Sequence, residues 1–526
     1  MTTRFSSVAN RSFGLHRRAL AGAVVAAASL AWAIYRPERA RSFDILDFSE
    51  FLPLVGRAST FADRFSALLG YYASQGRANL IPYAVIAAKW TWFGTWSPGW
   101  QLTRAALMLT LIALTFALLR RLGASGLGAA LGSSVFLMAP AAADAWVRLT
   151  MAEPIGAALV LALALRATRF QGSNRWGRQV ALFGAGAAAI VLTKELLAPA
   201  LLLSVAIALV MRGDGSLGAP ELSRRNIVLV MTWLAVSVAV LLPLVMLYAR
   251  APTSAFAAQY GSSFQSPGGL AAITIATLVP FEPVPNPASA AWILAIGGFT
   301  MLIAAGWRVG FHSRAEGARS RWLLGVSLVF PLIGALAYLP WPAYQSFYAL
   351  PYLTGTSILI AMAATYLERE ARHGTKWALL GWGSAAVYAL GGASAKAGRA
   401  DAVQRAADAV VRIVAGEDAV DSVIMATAQP ARQAWQGLGP TLARFASATG
   451  RPWPPTRDAR CEDAARLVKT ATRTIVVVFS SQCTLKNPSG RNVVAPYRRV
   501  DWSRWHLVDD SLRADILRGP TSVRHP

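Results

Sequence analysis

The sequence predicts an α-helical polytopic membrane protein of about eleven transmembrane helices, followed by a small soluble α/β domain at its C-terminal end. Three observations predict it. Hydrophobic residues make up 55% of the 526 residues and charged residues only 15%, against about 25% charge in an ordinary soluble domain. Apolar runs long enough to cross a bilayer recur from Ala19 to about Gly391, after which the composition turns ordinary. The connectors between those runs alternate between basic and base-poor, which fixes orientation.

The spans fall at 18–35, 103–120, 126–143, 153–168, 179–194, 196–211, 227–249, 288–307, 322–339, 347–366 and 377–392. The stretch 1–40 begins basic, as a signal peptide would. Its apolar run continues through Trp32 and Ile34 to Tyr35, long enough to be a retained first span. One long run, Gln179 to Met211, is interrupted by Lys194, Glu195 and Pro199. At 1.5 Å per residue it would be about 50 Å long, against a hydrocarbon core of about 30 Å, so it reads as two short spans joined by a tight turn. The stretch Ile81–Gly94 is short and broken by Lys89, and reads as a helix on or dipping into the outer interface.

The basic connectors hold Arg120 and Arg121, Arg166 to Arg178, Arg212 to Arg225, Arg308 to Arg321, and Arg369 to Lys376. With Arg4, Arg11, Arg17 and Arg18 they define the cytoplasmic side. The connectors at 251–287 and 340–346 are almost free of charge and face out. The boundaries that follow are a transmembrane module over 1–392, with a long first outer loop at 36–102, and an extracytoplasmic domain over 393–526. The address is a bacterial cytoplasmic (inner) membrane, with the N-terminus inside and the C-terminal domain outside or periplasmic. The net charge of +25 is spread over short loops and the tail, with no zinc-finger spacing and no concentrated basic tract, which argues against nucleic acid. Membrane lipids are the expected neighbours. In the tail, 400–414 and 431–446 read as amphipathic helices, and RTIVVVFSS at 473–481 is the clearest strand.

The outer turns gather polar groups. The first loop, SFDILDFSEFLPLV, carries Asp44, Asp47 and Glu50. The next turn, AADAWVRLTMAEP, carries Asp144, Arg148 and Glu153. LTKELLAP carries Lys194 and Glu195, and LPWPAYQSFYALPY carries Trp341, Tyr344, Tyr348 and Tyr352. Charge at membrane depth is costly and is usually paired or functional. Taken singly, each group also fits headgroup solvation or a structural ion pair, and Arg148 with Asp144 fits a local pair four residues apart. Of the 5 histidines, His16, His312 and His373 fall on the cytoplasmic side and His506 and His525 in the tail. A zinc site with histidine ligands or a histidine-based triad at the embedded outer face is therefore excluded by inventory, leaving carboxylates, Arg, Lys and Tyr. The 2 cysteines, Cys461 and Cys483, both lie outside in this topology, where a disulfide between them can persist.

The layout over residues 18–392 resembles the GT-C superfamily of integral-membrane glycosyltransferases, which use polyprenyl-phosphate sugars. The matching pieces are FDILDFSEFLPLV after the first span, GRANLIPYAVIAAKWTWFG running into WQLTRAALML, then RLTMAEP, LTKELLAP and YQSFYALPY. The resemblance implies a first-loop carboxylate as general base: Asp47 first, then Glu50, with Asp44 third. The neighbouring acid pair usual in the family is missing. It further implies that Glu153 and the Lys194–Glu195 element line the donor site, with Arg104, Arg148 or Lys194 on the donor phosphate and Tyr344 and Tyr348 beside it. The implied partners are a polyprenyl-phosphate-linked sugar donor and a glycan, lipid or protein acceptor. No cofactor is fixed, though some relatives need a divalent metal (Mg or Mn). Two other functions stand beside this one: a proton-coupled secondary transporter, which would place charge near the midplane of its spans, and a non-catalytic scaffold presenting the C-terminal domain.

Overall fold

The structure, a computed structural model, describes residues 54–56, 58–74, 77–94, 96–146, 152–168, 176–211, 223–250, 266–281, 290–312, 317–339 and 346–416, and strands between 422 and 518. The sequence-predicted first span 18–35 and the helix at 431–446 lie outside these residues. The chain divides into two compact units. One comprises 1–36, 69–85 and 101–397, the other 37–68, 86–100 and 398–526.

In chain order the helices are α1 (Phe61–Ser74), α2 (Leu80–Phe93), α3 (Ser97–Arg121), α4 (Gly126–Ser133), α5 (Val135–Met138), α6 (Pro140–Trp146), α7 (Ala152–Ala167), α8 (Trp176–Thr193), α9 (Leu202–Val210), α10 (Arg224–Arg250), α11 (Pro267–Leu278), α12 (Ala290–His312), α13 (Gly317–Ala337), α14 (Leu353–Glu370) and α15 (Gly374–Gly416). Two 3-10 segments, Glu195–Leu201 and Ser346–Tyr352, lead directly into α9 and α14. Among the described residues 5 helical stretches are long and apolar enough to cross a membrane, against ten of the eleven expected spans that fall on those residues, and the chain is an α-helical, multi-pass membrane protein.

Each departure has a local cause. The run at 126–143 is divided at Ser134 and again at Ala139, where Pro140 opens α6. Pro199 and Pro351 lie inside the two 3-10 segments, where a missing N–H prevents a regular α-helical start. The uncharged loop expected over 251–287 contains α11, whose Ser266 side chain caps the helix by accepting from Gly269 N at 3.0 Å. The last span does not stop at 392. It continues as a single 43-residue helix, α15, about 65 Å long, so the amphipathic stretch at 400–414 is its continuation rather than a separate element. At α1, Thr60 and Asp63 form a capping box. The Thr60 hydroxyl, then its backbone N–H, hold the Asp63 carboxyl below the ordinary carboxylate range.

The second unit holds the sheet. Its order is β2–β1–β3–β7–β6, from β1 (Ser422–Thr427), β2 (Thr456–Arg460), β3 (Ile475–Ser480), β6 (His506–Ser511) and β7 (Ala514–Arg518). β1 runs parallel to both β2 and β3, and β7 pairs antiparallel with β3 and β6. A separate hairpin-like pair joins β4 (Thr484–Lys486) to β5 (Asn492–Val494). The expected strand at 473–481 is β3, paired on both edges.

The first unit is built around α14, whose residues Leu353 to Leu367 are all buried. It packs against α4, α12 and α13, and small residues set the approach. A Cβ on Gly128 or Gly132 of α4 would fall 2.4 Å from Ala361 O or 2.5 Å from Ser357 O. Lipid offers little drive for helix association, so packing of this kind carries it. Where α3 turns into α4, Gly123 adopts φ +86°. Ala124 N donates to Leu119 O and Gly123 N to Arg120 O, a Schellman closure. Arg319, Arg369 and Arg120 then donate to the carbonyls of Leu122, Gly123 and Ala124, joining three basic connectors at one turn.

The tightest contact gives a stability test. A Cβ on Gly306 of α12 would lie 2.4 Å from the Ala363 carbonyl oxygen and 2.6 Å from its Cα. Both are backbone atoms of α14 and cannot turn aside. Gly306→Ala is expected to cost about 1–3 kcal/mol, measured as a lower thermal midpoint in detergent. Gly297→Ala on the same helix, with nothing within 4 Å, is expected to leave that midpoint unchanged or slightly raised, since alanine is the better helix former.

Candidate functional site

The charged groups that the structure brings together are Glu153, Lys194 and the ring of Tyr348. Glu153 stands in the first turn of α7, where the helix dipole favours an anion. Lys194 is the residue between α8 and the first 3-10 segment. Its backbone is extended (φ −164°, ψ 126°), while its N–H still donates to Ile190 O at 3.2 Å and its carbonyl accepts from Leu197 N at 2.9 Å. One extended residue between two helical turns swings the side chain out of the helix path. Its ammonium meets Glu153 Oε1 at 2.5 Å.

Lys194 Nζ also lies 3.9 Å from the centroid of the Tyr348 ring, within reach of a cation–π contact. Tyr338 stacks on Tyr348, the ring centroids 4.9 Å apart at 6°, and Phe347 meets Tyr348 edge-on at 4.5 Å. The Glu153 side chain is 2% exposed and that of Lys194 14%. The carboxylate is thus sealed, while the lysine side chain as a whole keeps a small exposed fraction. An ammonium has three N–H donors. One faces Glu153 and the Tyr348 ring lies over another direction, which leaves donor capacity for an oxygen anion. The glutamate orients the lysine and cancels much of its charge, which leaves a directed donor rather than a bare cation.

The sequence grouped Lys194 with its neighbour Glu195. The structure pairs it instead with Glu153, 41 residues earlier, and Glu195 opens the 3-10 segment half-buried. Arg104 donates to the carbonyl of Trp146 at the end of α6, and Trp146 in turn donates from Nε1 to Phe136 O at 2.7 Å. Arg104 therefore ties α3 to α6. Asp44, Asp47, Glu50, Arg148, Tyr344, Cys461 and Cys483 lie outside the described residues. Tyr338 was not picked out from the sequence, and Tyr352 was noted only among the aromatic residues of LPWPAYQSFYALPY. Their signal is only that both are tyrosines at the ends of apolar runs on the side that holds Lys194. Among the described residues no three His, Cys, Asp or Glu converge, and the one carboxylate paired here is already held by Lys194, so these residues do not form a divalent-metal site.

The chain matches no protein-family model and no curated protein sequence. It is similar to solved structures over most of its length. One is ArnT from Cupriavidus metallidurans bound to undecaprenyl phosphate, 16% identical, with 96% of this chain and 98% of that one covered and a TM-score of 0.46. A second is the arabinofuranosyltransferase AftD from Mycobacteria, 14% identical, covering 97% of this chain and 40% of that one, with a TM-score of 0.47. A third is the apo oligosaccharyltransferase of Archaeoglobus fulgidus, 11% identical, covering 81% and 64%, with a TM-score of 0.43.

Proposed function

We propose that this chain is a glycosyltransferase that moves a sugar from a polyprenyl-phosphate donor to an acceptor hydroxyl at the outer face of a bacterial cytoplasmic membrane. The observation that carries the reading is the Lys194 ammonium. It is fixed by a buried carboxylate and an aromatic ring at the end of α8, on a side chain that is not fully enclosed. That is the donor a phosphate leaving group needs at the membrane surface, with its lipid tail among the helices.

In the proposed step the acceptor oxygen attacks the anomeric carbon as its proton passes to Asp47. The bond from that carbon to the phosphate oxygen breaks, and its electron pair stays on the phosphate. Lys194 stabilises the added charge there. A single displacement inverts the anomeric centre. Asp47 is assigned from the first-loop pattern, with Glu50 next and Asp44 third, and Arg148 and Tyr344 are assigned to the same donor site on the sequence pattern. Purified protein supplied with a labelled polyprenyl-phosphate sugar is expected to release polyprenyl phosphate. Sugar uptake by sealed proteoliposomes with no release would replace this reading with the transporter.

The orientation has its own test. In a background lacking Cys461 and Cys483, cysteines at Ser173 and Ser262 are expected to react with an impermeant maleimide from opposite sides, Ser262 from outside. Reaction of both from one side would overturn the proposed topology.

A further inference from the structure

We propose that Tyr352 is a positioning residue for Lys194: its hydroxyl supplies the hydrogen bond that Pro199 cannot, and so holds the backbone that aims the ammonium. This deepens, and rests on, the donor-phosphate role given to Lys194 above. The first 3-10 segment begins one residue after Lys194. In a 3-10 helix the carbonyl of residue i accepts from the N–H of residue i+3. For Leu196 that residue is Pro199, which has no N–H. The Leu196 carbonyl is thus left without its regular donor, inside an apolar bundle where an unsatisfied carbonyl is costly. Tyr352 Oη donates to it at 3.0 Å.

The tyrosine is held for this. It is fully buried, its ring lies 5.1 Å from Phe330, and Gly334 leaves the space it fills, since a Cβ there would stand 2.5 Å from the ring. Tyr352 ends the 3-10 segment that also carries Tyr348. One seven-residue segment therefore covers the ammonium with the ring of Tyr348 and pins the backbone behind it with the hydroxyl of Tyr352. The two 3-10 segments pack against each other, so movement of one disturbs both the ring over Lys194 and the hydrogen bond to Leu196.

Tyr352→Phe removes the hydroxyl and keeps the ring. It is expected to raise the donor KM roughly tenfold, with kcat changed much less, in line with leaving one buried carbonyl unpaired. The reactivity of Lys194 toward a small amine-acylating reagent, read by peptide mass spectrometry, is expected to rise several-fold, roughly in step with that KM. Pro199→Ala restores an N–H at the position the Leu196 carbonyl needs. The double variant Tyr352→Phe/Pro199→Ala is expected to return both readouts toward wild type, a rescue that general loosening of the bundle would not produce. Unchanged Lys194 reactivity in Tyr352→Phe, or failure of Pro199→Ala to restore it, overturns the inference. Altered and rescued reactivity in a protein that releases no polyprenyl phosphate would uphold the positioning role and overturn the transferase reading instead.

Discussion

A Glu153→Leu variant is expected to lose about 3 kcal/mol of stability, and the double variant Glu153→Leu/Lys194→Met to recover most of it while releasing no polyprenyl phosphate. Removing the carboxylate leaves an ammonium whose side chain is only 14% exposed. A buried charge that loses its partner is penalised by about 3–5 kcal/mol. The lower figure applies because lysine's long stem lets the ammonium move toward the polar surface. Replacing both members by apolar groups removes the desolvation cost along with the attraction, so the pair adds little net stability. The measurement is the unfolding midpoint of the four proteins of the cycle in one detergent, beside turnover of a labelled donor. A double variant as unstable as the sum of its parts would mean that the two groups are not coupled as their 2.5 Å contact requires. A double variant that is stable and fully active would leave the pair structural and Lys194 without its proposed role.

That pair marks the limit of what could be read from the sequence. Apolar period and length located α3, α7, α8, α10, α12 and α13 within a few residues, because a membrane helix is specified locally by a run of side chains that lipid accepts. Where the backbone itself is altered, composition misled. Pro140 and Pro351 stand in runs as apolar as their neighbours, yet each removes a donor, and the chain answers with a break or a 3-10 turn, whereas Pro199 was legible with Lys194 and Glu195 as the interruption between α8 and α9. Ser266–Pro267 carried a legible helix start, a capping serine before a first-turn proline, which the pair Gly268–Gly269 masked. Gly391–Gly392 read as an end, but α15 runs through them to Gly416. Both Glu153 and Lys194 were visible as costly charges at the ends of apolar runs. Their pairing was not, because it depends on how α7 and α8 pack and on one extended residue at 194. The hydroxyl of Tyr352 was further from view, since nothing local connects it with Leu196, 156 residues away.

Asp47→Asn is expected to cut turnover by roughly 100-fold or more while leaving folding and donor affinity near wild type, the size expected when a general base is lost. Asparagine keeps the shape of the side chain and its hydrogen-bonding capacity but cannot take the acceptor's proton. The loss should therefore fall on kcat, with donor KM little changed, the opposite of the split expected for Tyr352→Phe. Glu50→Gln is expected to be the next most severe and Asp44→Asn the mildest. Turnover near wild type in Asp47→Asn would remove it as the base. A dead Glu50→Gln beside an active Asp47→Asn would move the role three residues along the loop. Full activity in all three would make SFDILDFSEFLPLV a structural loop and direct the search to Asp144, since Glu153 is already held by Lys194 at 2.5 Å and is poorly placed to accept a further proton.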